Sequence, residues 1–414
     1  MTTAQRQVSI ALVILVAVVI GNVIVTHNLF TSRYPGHNDF MSRWEGARSY
    51  WIDGLNPYGV EASLNIQERI YGRAATPVED PGYFAYPFYT VFVVAPVVTL
   101  DYAWASSIWM VLLEACLIGA FLLILDILKW RPAPLLLGVL LLWVILDYFA
   151  MRGLLLGQPG IIVYALEMFT IWAFLRGYGT AAGVALAVST LKPQMGFLFV
   201  PLMLLIALFA REPRRRWGTL IGFGVTMAIL LGLSFLLMPS WLGDWVAQVS
   251  LYTSYTAIGS PVWVVTQYYL GLGTAGEYGL SALLLGYMLW AWFQLLIRRK
   301  TERLLWTVTL TLTVTHLIAV RTATTHYVVF VLPILFYLHE LAKQRRGWLA
   351  ALIVFGIAGI TWAHFLTTVQ GEFEHPSLYL PLPFTLLFLL IVTRHRWWRT
   401  TRHEMEANQT GTRP

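Results

Sequence analysis

The sequence has few charged residues and a single cysteine, and both shortages restrict what the protein can be. Only 12% of the 414 residues are charged, about half of the ~25% that is usual in soluble globular domains. Apolar residues make up 58% of the chain, and the mean hydropathy is +0.66. The one cysteine, Cys116, cannot form a disulfide within the chain. The composition therefore excludes a soluble enzyme, a disordered chain and a disulfide-rich scaffold, and it predicts an integral membrane protein of the all-α class.

Several motifs that bind nucleotides or metals are also missing. The sequence contains no Gly-x-x-x-x-Gly-Lys-Ser/Thr phosphate loop, no His-Glu-x-x-His and no Asp-x-Asp. Cysteine and histidine residues show no spacing typical of zinc sites. We therefore expect no metal site and no cofactor, and a soluble nucleotide donor is disfavoured because such enzymes use Asp-x-Asp to hold a metal.

Eleven apolar stretches are long enough to be candidate membrane spans, which need about 20 mainly apolar residues. Two shorter stretches, 86–100 and 180–191, are uncertain, so the expected number of spans is about 11 to 13. The first stretch is followed by no small-residue cleavage site and is predicted to be an uncleaved helix. The candidates are 8–26, 103–125, 134–150, 161–175, 194–210, 217–238, 278–297, 304–320, 327–342, 347–368 and 378–393.

The basic residues predict the orientation in the membrane. The formal net charge is +7, and because cytoplasmic loops are enriched in Lys and Arg, we attribute the excess to topology rather than to nucleic-acid binding. Loops 27–85 and 239–277 then lie outside, residues 1–398 form one transmembrane domain, and 399–414 form a cytoplasmic polar tail. Lys129 and Arg131 indicate a further cytoplasmic turn, which requires that either 86–100 or 180–191 does not cross. The four cytoplasmic clusters are Arg211 with 214–216, 298–300 with Arg303, Lys343 with 345–346, and 394–402.

The long loop 27–85 is rich in aromatic residues and is expected to be ordered. Phe40, Trp44, Ala47 and Trp51 recur at helical spacing, which predicts an amphipathic helix on the membrane interface. Asp39 precedes this helix and allows two interpretations. Asp39, or its neighbour in position 38, caps the helix, or the Asp39 carboxylate is a general base at the mouth of a membrane-level cavity.

A series of short motifs resembles glycosyltransferase family 87. Where this sequence has Gly157-Gln158-Pro159-Gly160, family members often have Gly-Gln-x-Asn. Gly160 therefore departs from the pattern, and no family role is carried over to that position. The series consists of Asp39-Phe40 with Ala47, Tyr50 and Gly54-Leu55-Asn56-Pro57-Tyr58, then Tyr86-Pro87-Phe88, Gly157-Gln158-Pro159-Gly160, Leu191-Lys192-Pro193-Gln194, and Thr325-His326-Tyr327 before Pro333.

The resemblance implies a polytopic GT-C enzyme, a bundle of transmembrane helices with a structured first outer loop. Such an enzyme transfers a sugar, mannose being the best known in the family, from a polyprenyl-phosphate donor to a lipid or glycan acceptor. Transfer is expected to invert the anomeric carbon on the extracytoplasmic face of a bacterial plasma membrane. The resemblance assigns Asp39 as the base that activates the acceptor hydroxyl.

Four basic residues near the ends of predicted spans are candidates for binding the donor phosphate, whose departing charge needs cations or hydrogen-bond donors. They are Lys192, Arg321, His326 and Arg152. Arg152 and Arg321 could instead extend to lipid headgroups, and His326 could be a satisfied core histidine, with His316 as a competing candidate.

Three further residues are candidates for substrate binding: Gln158, Tyr58 and Trp44. Gln158 could bind the sugar or bridge two helices, and Trp44 could stack on a sugar face or lie at the membrane interface. A secondary transporter or a flippase for lipid-linked sugars is the alternative function, and a structural membrane protein is a third. Acids and bases in an outer loop favour the enzyme, because a transporter places them on broken helices at the midplane.

Overall fold

The computed structural model describes residues 3–34, 39–77, 79–255, 258–371 and 374–399. No β-strand occurs in these residues, which confirms the prediction of an all-α protein. Short 3₁₀ or π turns also occur, at His27–Thr31, Ala95–Val97, Ser189–Leu191, Val264–Tyr269, Thr301–Arg303, Thr324–Phe330 and Pro376–Tyr379. The α-helices are α1 (Thr3–Thr26), α2 (Phe40–Trp51), α3 (Val60–Tyr71), α4 (Thr90–Val94), α5 (Tyr102–Ile127), α6 (Pro134–Leu146), α7 (Tyr148–Leu156), α8 (Gly160–Leu175), α9 (Gly179–Val188), α10 (Pro193–Gly196), α11 (Phe199–Phe209), α12 (Pro213–Leu237), α13 (Trp241–Tyr255), α14 (Pro261–Trp263), α15 (Gly273–Leu296), α16 (Leu304–Ile318), α17 (Val331–Lys343), α18 (Gly347–Thr368) and α19 (Pro381–Val392).

Proline and glycine explain many of the helix boundaries. Helices α6, α10, α12, α14 and α19 each begin on a proline, whose fixed φ suits the first helical position and whose missing N–H is not needed there. Gly157 after α7 and Gly177 after α8 adopt φ values of +67° and +83°. These left-handed conformations reverse the chain and favour glycine.

Six helical stretches in the described residues are long and apolar enough to cross a membrane, which confirms the prediction of a polytopic membrane protein. A seventh results if α6 and α7, which meet at a bend of 48°, are counted as one span. Four apolar helices are shorter, so the number of about 11 to 13 crossings stays a prediction that depends on them. The six long stretches are Gln5–Thr31, Tyr102–Ile127, Pro213–Leu237, Gly273–Leu296, Thr324–Lys343 and Gly347–Thr368, and the four shorter helices are Gly160–Leu175, Gly179–Leu191, Phe199–Phe209 and Pro376–Val392.

The two stretches that were uncertain from the sequence differ in structure. Segment 86–100 contains only α4 and the turn Ala95–Val97, so it has too little helix to cross about 30 Å of hydrocarbon. Segment 180–191 lies in α9 and the turn that follows, and α9 packs along α8. Of the two alternatives, the structure favours 86–100 as the segment that does not cross.

The chain divides into two compact units. Unit 1 comprises Met1–Leu117, Arg152–Pro159 and Leu233–Tyr255, and unit 2 comprises Ile118–Met151, Gly160–Gly232 and Thr256–Pro414.

In unit 1, the described residues of loop 27–85 include helices α2 and α3, and most of α2 is buried. Phe40 and Ala47 are 0% exposed and Trp44 is 2% exposed. Phe40 stacks on Trp109 at 4.5 Å between ring centroids, and the Trp44 indole N–H donates to the carbonyl of Val97 at 3.0 Å. Three of the four stripe residues therefore face protein, whereas Trp51 is 39% exposed, and the location of this helix on the membrane interface stays a prediction. The stripe predicted an apolar partner correctly, but its spacing does not distinguish protein from lipid.

In unit 2, one end gathers basic residues from several helices, and we call it the basic end. Its contacts join residues that are distant in sequence, which places the ends of these helices together. They include Arg176 with Asp126 (2.5 Å), Arg215 with the Leu175 carbonyl (3.1 Å), Arg299 with the Phe209 carbonyl (2.8 Å), Arg303 over the Trp398 ring (4.0 Å) and Trp130 stacked on His339 (5.1 Å).

The opposite ends of the helices of unit 2 also lie together, and we call this region the far end. There the Trp362 indole donates to the Leu146 carbonyl at 3.0 Å, and the Tyr327 hydroxyl donates to the Tyr379 carbonyl at 2.9 Å. Lys192 and His326 also lie at this end, in the turns that follow α9 and α16.

Candidate active site

The first candidate residue, Asp39, lies at the N-cap position of α2 but does not cap it. Its side chain makes no hydrogen bond to the first-turn amides. Carboxylate oxygen Oδ2 instead accepts a hydrogen bond from the Gln158 side-chain amide. Within the described residues no donor reaches Oδ1 of Asp39, and the residue is exposed. Position 38, the other cap candidate, lies outside the described residues.

Arg43 fixes the backbone on which Asp39 is carried. Its guanidinium is buried and donates both to the main-chain carbonyl of Asp39 and to the Tyr86 hydroxyl. The guanidinium also lies 4.4 Å from the centroid of the Tyr86 ring, a cation–π arrangement. Through its bond to the carbonyl, Arg43 holds the backbone of Asp39 in place. The sequence analysis missed Arg43, although its i+4 spacing from Asp39 was a usable signal.

A second carboxylate, Asp80, interacts electrostatically with this group. Packing of the surrounding loop desolvates the Asp80 carboxyl and raises its pKa above the ordinary value, and the charge of Asp39 raises it further. The Gly82 amide, which donates to Asp80 Oδ1 at 2.8 Å, acts in the opposite direction. Two neighbouring carboxylates disfavour ionisation of each other.

Two of the residues that the sequence predicts to bind substrate, Tyr58 and Trp44, are buried in unit 1. The Tyr58 hydroxyl donates to the Tyr86 carbonyl at 2.6 Å, and burial raises the pKa of the phenol, which keeps this donor protonated. The Trp44 ring is 2% exposed and packs on Tyr102 at 5.2 Å between centroids. In this structure neither ring presents an open face to a sugar. Both support the segment that carries Asp39 and Tyr86.

In unit 2, Lys192 and His326 meet at Gly160. A Cβ added at Gly160 would lie 3.2 Å from the His326 ring, 3.2 Å from the Met195 sulfur and 3.7 Å from the Lys192 ammonium. Lys192 is 3% exposed and His326 is 2% exposed. The structure therefore brings together two of the four predicted phosphate-binding residues, and Gly160, which has no side chain, permits their close approach to α8.

The competing histidine, His316, lies next to this pair. Its ring centroid is 6.1 Å from that of His326, and its Nδ1 is 2.8 Å from the Leu312 carbonyl one turn earlier in α16. That contact ties His316 to its own helix, whereas His326 lies beside Gly160.

The remaining two candidates differ in placement. Arg321 lies in the loop between α16 and His326 and adopts φ +59°, a left-handed conformation that is uncommon for arginine and is found at functional sites. Arg152 lies in α7 and belongs to unit 1.

Glu374 is a buried carboxylate that the sequence analysis did not single out. It accepts hydrogen bonds from the hydroxyls of Tyr148, Thr324 and Tyr379. Thr324 is two residues before His326, so this cluster fixes the far-end turn that carries the histidine. The partners are 226, 50 and 5 residues away in sequence, and no local pattern indicates them.

Comparison with known proteins identifies the family. The family model of glycosyltransferase family 87 matches residues 84–320, which is more than half of the chain. The match includes Arg152, Gln158 and Lys192, whereas Asp39 lies before it and Arg321 and His326 lie just after it. Searches of curated proteins and of solved structures gave no match. The chain belongs to glycosyltransferase family 87 and is a membrane glycosyltransferase.

Proposed function

We propose that this glycosyltransferase takes a sugar, mannose as the first candidate, from a polyprenyl-phosphate donor. It transfers the sugar to a lipid or glycan acceptor at the extracytoplasmic face, with inversion at the anomeric carbon. Asp39 is the general base, and Lys192, His326, Arg321 and Arg152 bind the donor phosphate.

The side-chain contacts of Asp39 carry this proposal. A capping aspartate spends its carboxylate on backbone amides, but that of Asp39 accepts from Gln158 and keeps Oδ1 available among the described residues. A sugar hydroxyl is a poor nucleophile, and a nearby carboxylate removes its proton as the new bond forms. Gln158, being neutral, orients the carboxylate and preserves its charge.

The reaction is a direct displacement. The acceptor oxygen bonds to the anomeric carbon while the bond from that carbon to the phosphate oxygen breaks, and the lipid phosphate leaves with the electron pair. The acceptor proton moves to Asp39. A single displacement inverts the anomeric configuration and needs no covalent enzyme intermediate.

The buried Lys192 and His326 of unit 2 suit the leaving group, Lys192 as a cation and His326 as a hydrogen-bond donor. A phosphate diester becomes a monoester with an additional negative charge, and preorganised cations stabilise that charge best away from water. Lys192 and His326 are both almost fully buried beside Gly160. Because cytoplasmic loops are enriched in Lys and Arg, we expect the basic end to be cytoplasmic. The far end, with Lys192 and His326, is then extracytoplasmic.

A donor panel tests the proposal. The purified full-length protein is incubated with polyprenyl-phosphate mannose, glucose or arabinose, or with GDP-mannose, together with membrane lipids and short mannosides as acceptors. Mass spectrometry should detect released polyprenyl phosphate with at least one lipid donor, and NMR of the product should show inversion. Release of nucleoside diphosphate from GDP-mannose, with no turnover of any lipid donor, would contradict the proposal.

A further inference from the structure

Three arginines line a cavity at the basic end of unit 2. The cavity has a volume of about 410 Å³ and lies where the end of α11, the start of α12 and the loop after α15 meet. Small-molecule sites usually have volumes of roughly 300–1,000 Å³. The lining consists of Leu208, Phe209, Ala210, Arg211, Arg216 and Arg299.

The charges around this cavity are of one sign. No acidic residue is part of the lining, and Glu212, the acid nearest in sequence, pairs with Arg215 at 3.1 Å. The first turn of α12 lies between Arg211 and Arg216, and the N-terminus of a 25-residue helix adds a partial positive charge. The cavity therefore attracts an anion.

Arg299 is held in place by the protein and does not extend freely into solvent. Its Nη1 donates to the Phe209 carbonyl at 2.8 Å, and its guanidinium lies 5.2 Å from the centroid of the Phe209 ring. Its backbone adopts φ +54°, a left-handed conformation that is unfavourable for arginine and persists only when surrounding contacts impose it. The loop is thus fixed so that Arg299 faces Arg211 and Arg216 across the cavity.

An apolar strip begins next to the cavity and indicates which anion fits. Along α12, Trp217, Ile221, Val225 and Ile229 are spaced four residues apart and are 53–56% exposed. Leu208 of the cavity lining is also exposed. A free phosphate gains nothing from such a strip, whereas the acyl chains of a lipid cover it. Tryptophan beside arginine is typical of the headgroup level of a membrane.

We propose that the cavity of Arg211, Arg216 and Arg299 binds the phosphate headgroup of an anionic phospholipid, with the acyl chains along the α12 strip. Basic pockets between helices on the cytoplasmic side suit such headgroups. The bound lipid ties α11, α12 and the loop after α15 together. This site is separate from the proposed catalytic residues and does not depend on the proposed reaction.

Native mass spectrometry of the detergent-purified full-length protein tests the site. Phosphatidylglycerol is titrated in, with phosphatidylcholine and inorganic phosphate as separate probes, and bound molecules are counted for each variant. The test variants are Arg216→Gln, Arg299→Gln and the pair combined. Arg214→Gln and Arg298→Gln are matched controls, because they are neighbours on the same segments but do not line the cavity.

The first retained phosphatidylglycerol should bind about fivefold more weakly for each cavity arginine removed. The two controls should keep wild-type affinity, phosphatidylcholine should bind much more weakly, and inorganic phosphate should not displace the lipid. Melting temperatures without lipid identify any variant that is misfolded, and Arg211→Gln, which removes the third arginine of the cavity, then replaces it. Equal losses in controls and cavity variants would overturn the site, and displacement of the lipid by equimolar phosphate would overturn the lipid as its ligand.

Discussion

The proposed base and the proposed phosphate-binding pair lie in opposite surroundings. Asp39 of unit 1 is exposed, and its carboxylate is contacted by a neutral amide. Lys192 and His326 of unit 2 are almost fully buried between helices. A base that must take up and release protons benefits from access to water, whereas cations that stabilise a departing phosphate act more strongly where water is excluded. On the proposed mechanism, this difference suits proton transfer at Asp39 and phosphate binding at Lys192 and His326.

The largest effect is expected for Asp39→Asn. Asn preserves the shape of the side chain and its carbonyl oxygen can still accept from the Gln158 amide, but it cannot take up the proton of the acceptor hydroxyl. Turnover should fall roughly 10²–10⁴-fold, the usual scale for loss of a general base, while the melting temperature is unchanged. The control Asp53→Asn, in the exposed turn just after α2, should retain wild-type turnover. If Asp39→Asn keeps a wild-type rate, Asp80 becomes the next candidate.

A smaller effect is expected for Lys192→Ala. Loss of a charge-assisted hydrogen bond to phosphate costs roughly 1.5–3 kcal/mol, so donor affinity should fall about tenfold to a hundredfold. Equilibrium binding of an unreactive donor analogue, in which a CH₂ group replaces the oxygen between the sugar and the polyprenyl-linked phosphorus, measures this directly. Arg345→Ala, in the loop after α17, serves as the control. If Lys192→Ala binds the donor as tightly as Arg345→Ala does, Lys192 is only a packing residue.

A still smaller effect on the reaction is expected for Glu374→Gln. The substitution keeps one carbonyl oxygen for three hydroxyl donors, so one hydrogen bond to Tyr148, Thr324 or Tyr379 is lost and the turn before His326 loosens. Unfolding free energy should fall by about 1–2 kcal/mol. Donor KM should rise several-fold with little change in kcat, because the change reaches the reaction through His326. An unchanged KM with reduced stability would show that Glu374 is only structural.

No effect on activity is expected from single cysteines that test orientation. In a Cys116→Ala background, Glu68→Cys in α3 should react with a membrane-impermeant maleimide in intact cells. Arg214→Cys at the basic end should react only after permeabilisation, because that end is expected to be cytoplasmic. The reverse pattern would place the proposed site on the cytoplasmic side and contradict a polyprenyl-phosphate reaction at the outer face.

The sequence was sufficient for the fold class and for the positions of most helices. Long apolar runs leave few alternatives to helix in a membrane, and Asp39, Lys192 and His326 belong to local motifs. The surroundings of the α2 stripe could not be predicted, because apolar spacing is the same whether protein or lipid covers it. Glu374 could not be predicted either, since its partner Tyr148 is 226 residues away. Arg43 was accessible in principle through its i+4 spacing from Asp39.

The division of roles between Asp39 and Lys192 is the central claim of the proposal, and one paired measurement tests it most directly. For Asp39→Asn and Lys192→Ala, donor affinity is determined by titration and the single-turnover rate is measured at saturating donor. Asp39→Asn should bind donor as the wild type does and turn over roughly 10²–10⁴-fold more slowly. Lys192→Ala should bind about tenfold to a hundredfold more weakly. If Asp39→Asn loses donor affinity and keeps its rate at saturation, the carboxylate of unit 1 is a binding group and the division of roles is contradicted.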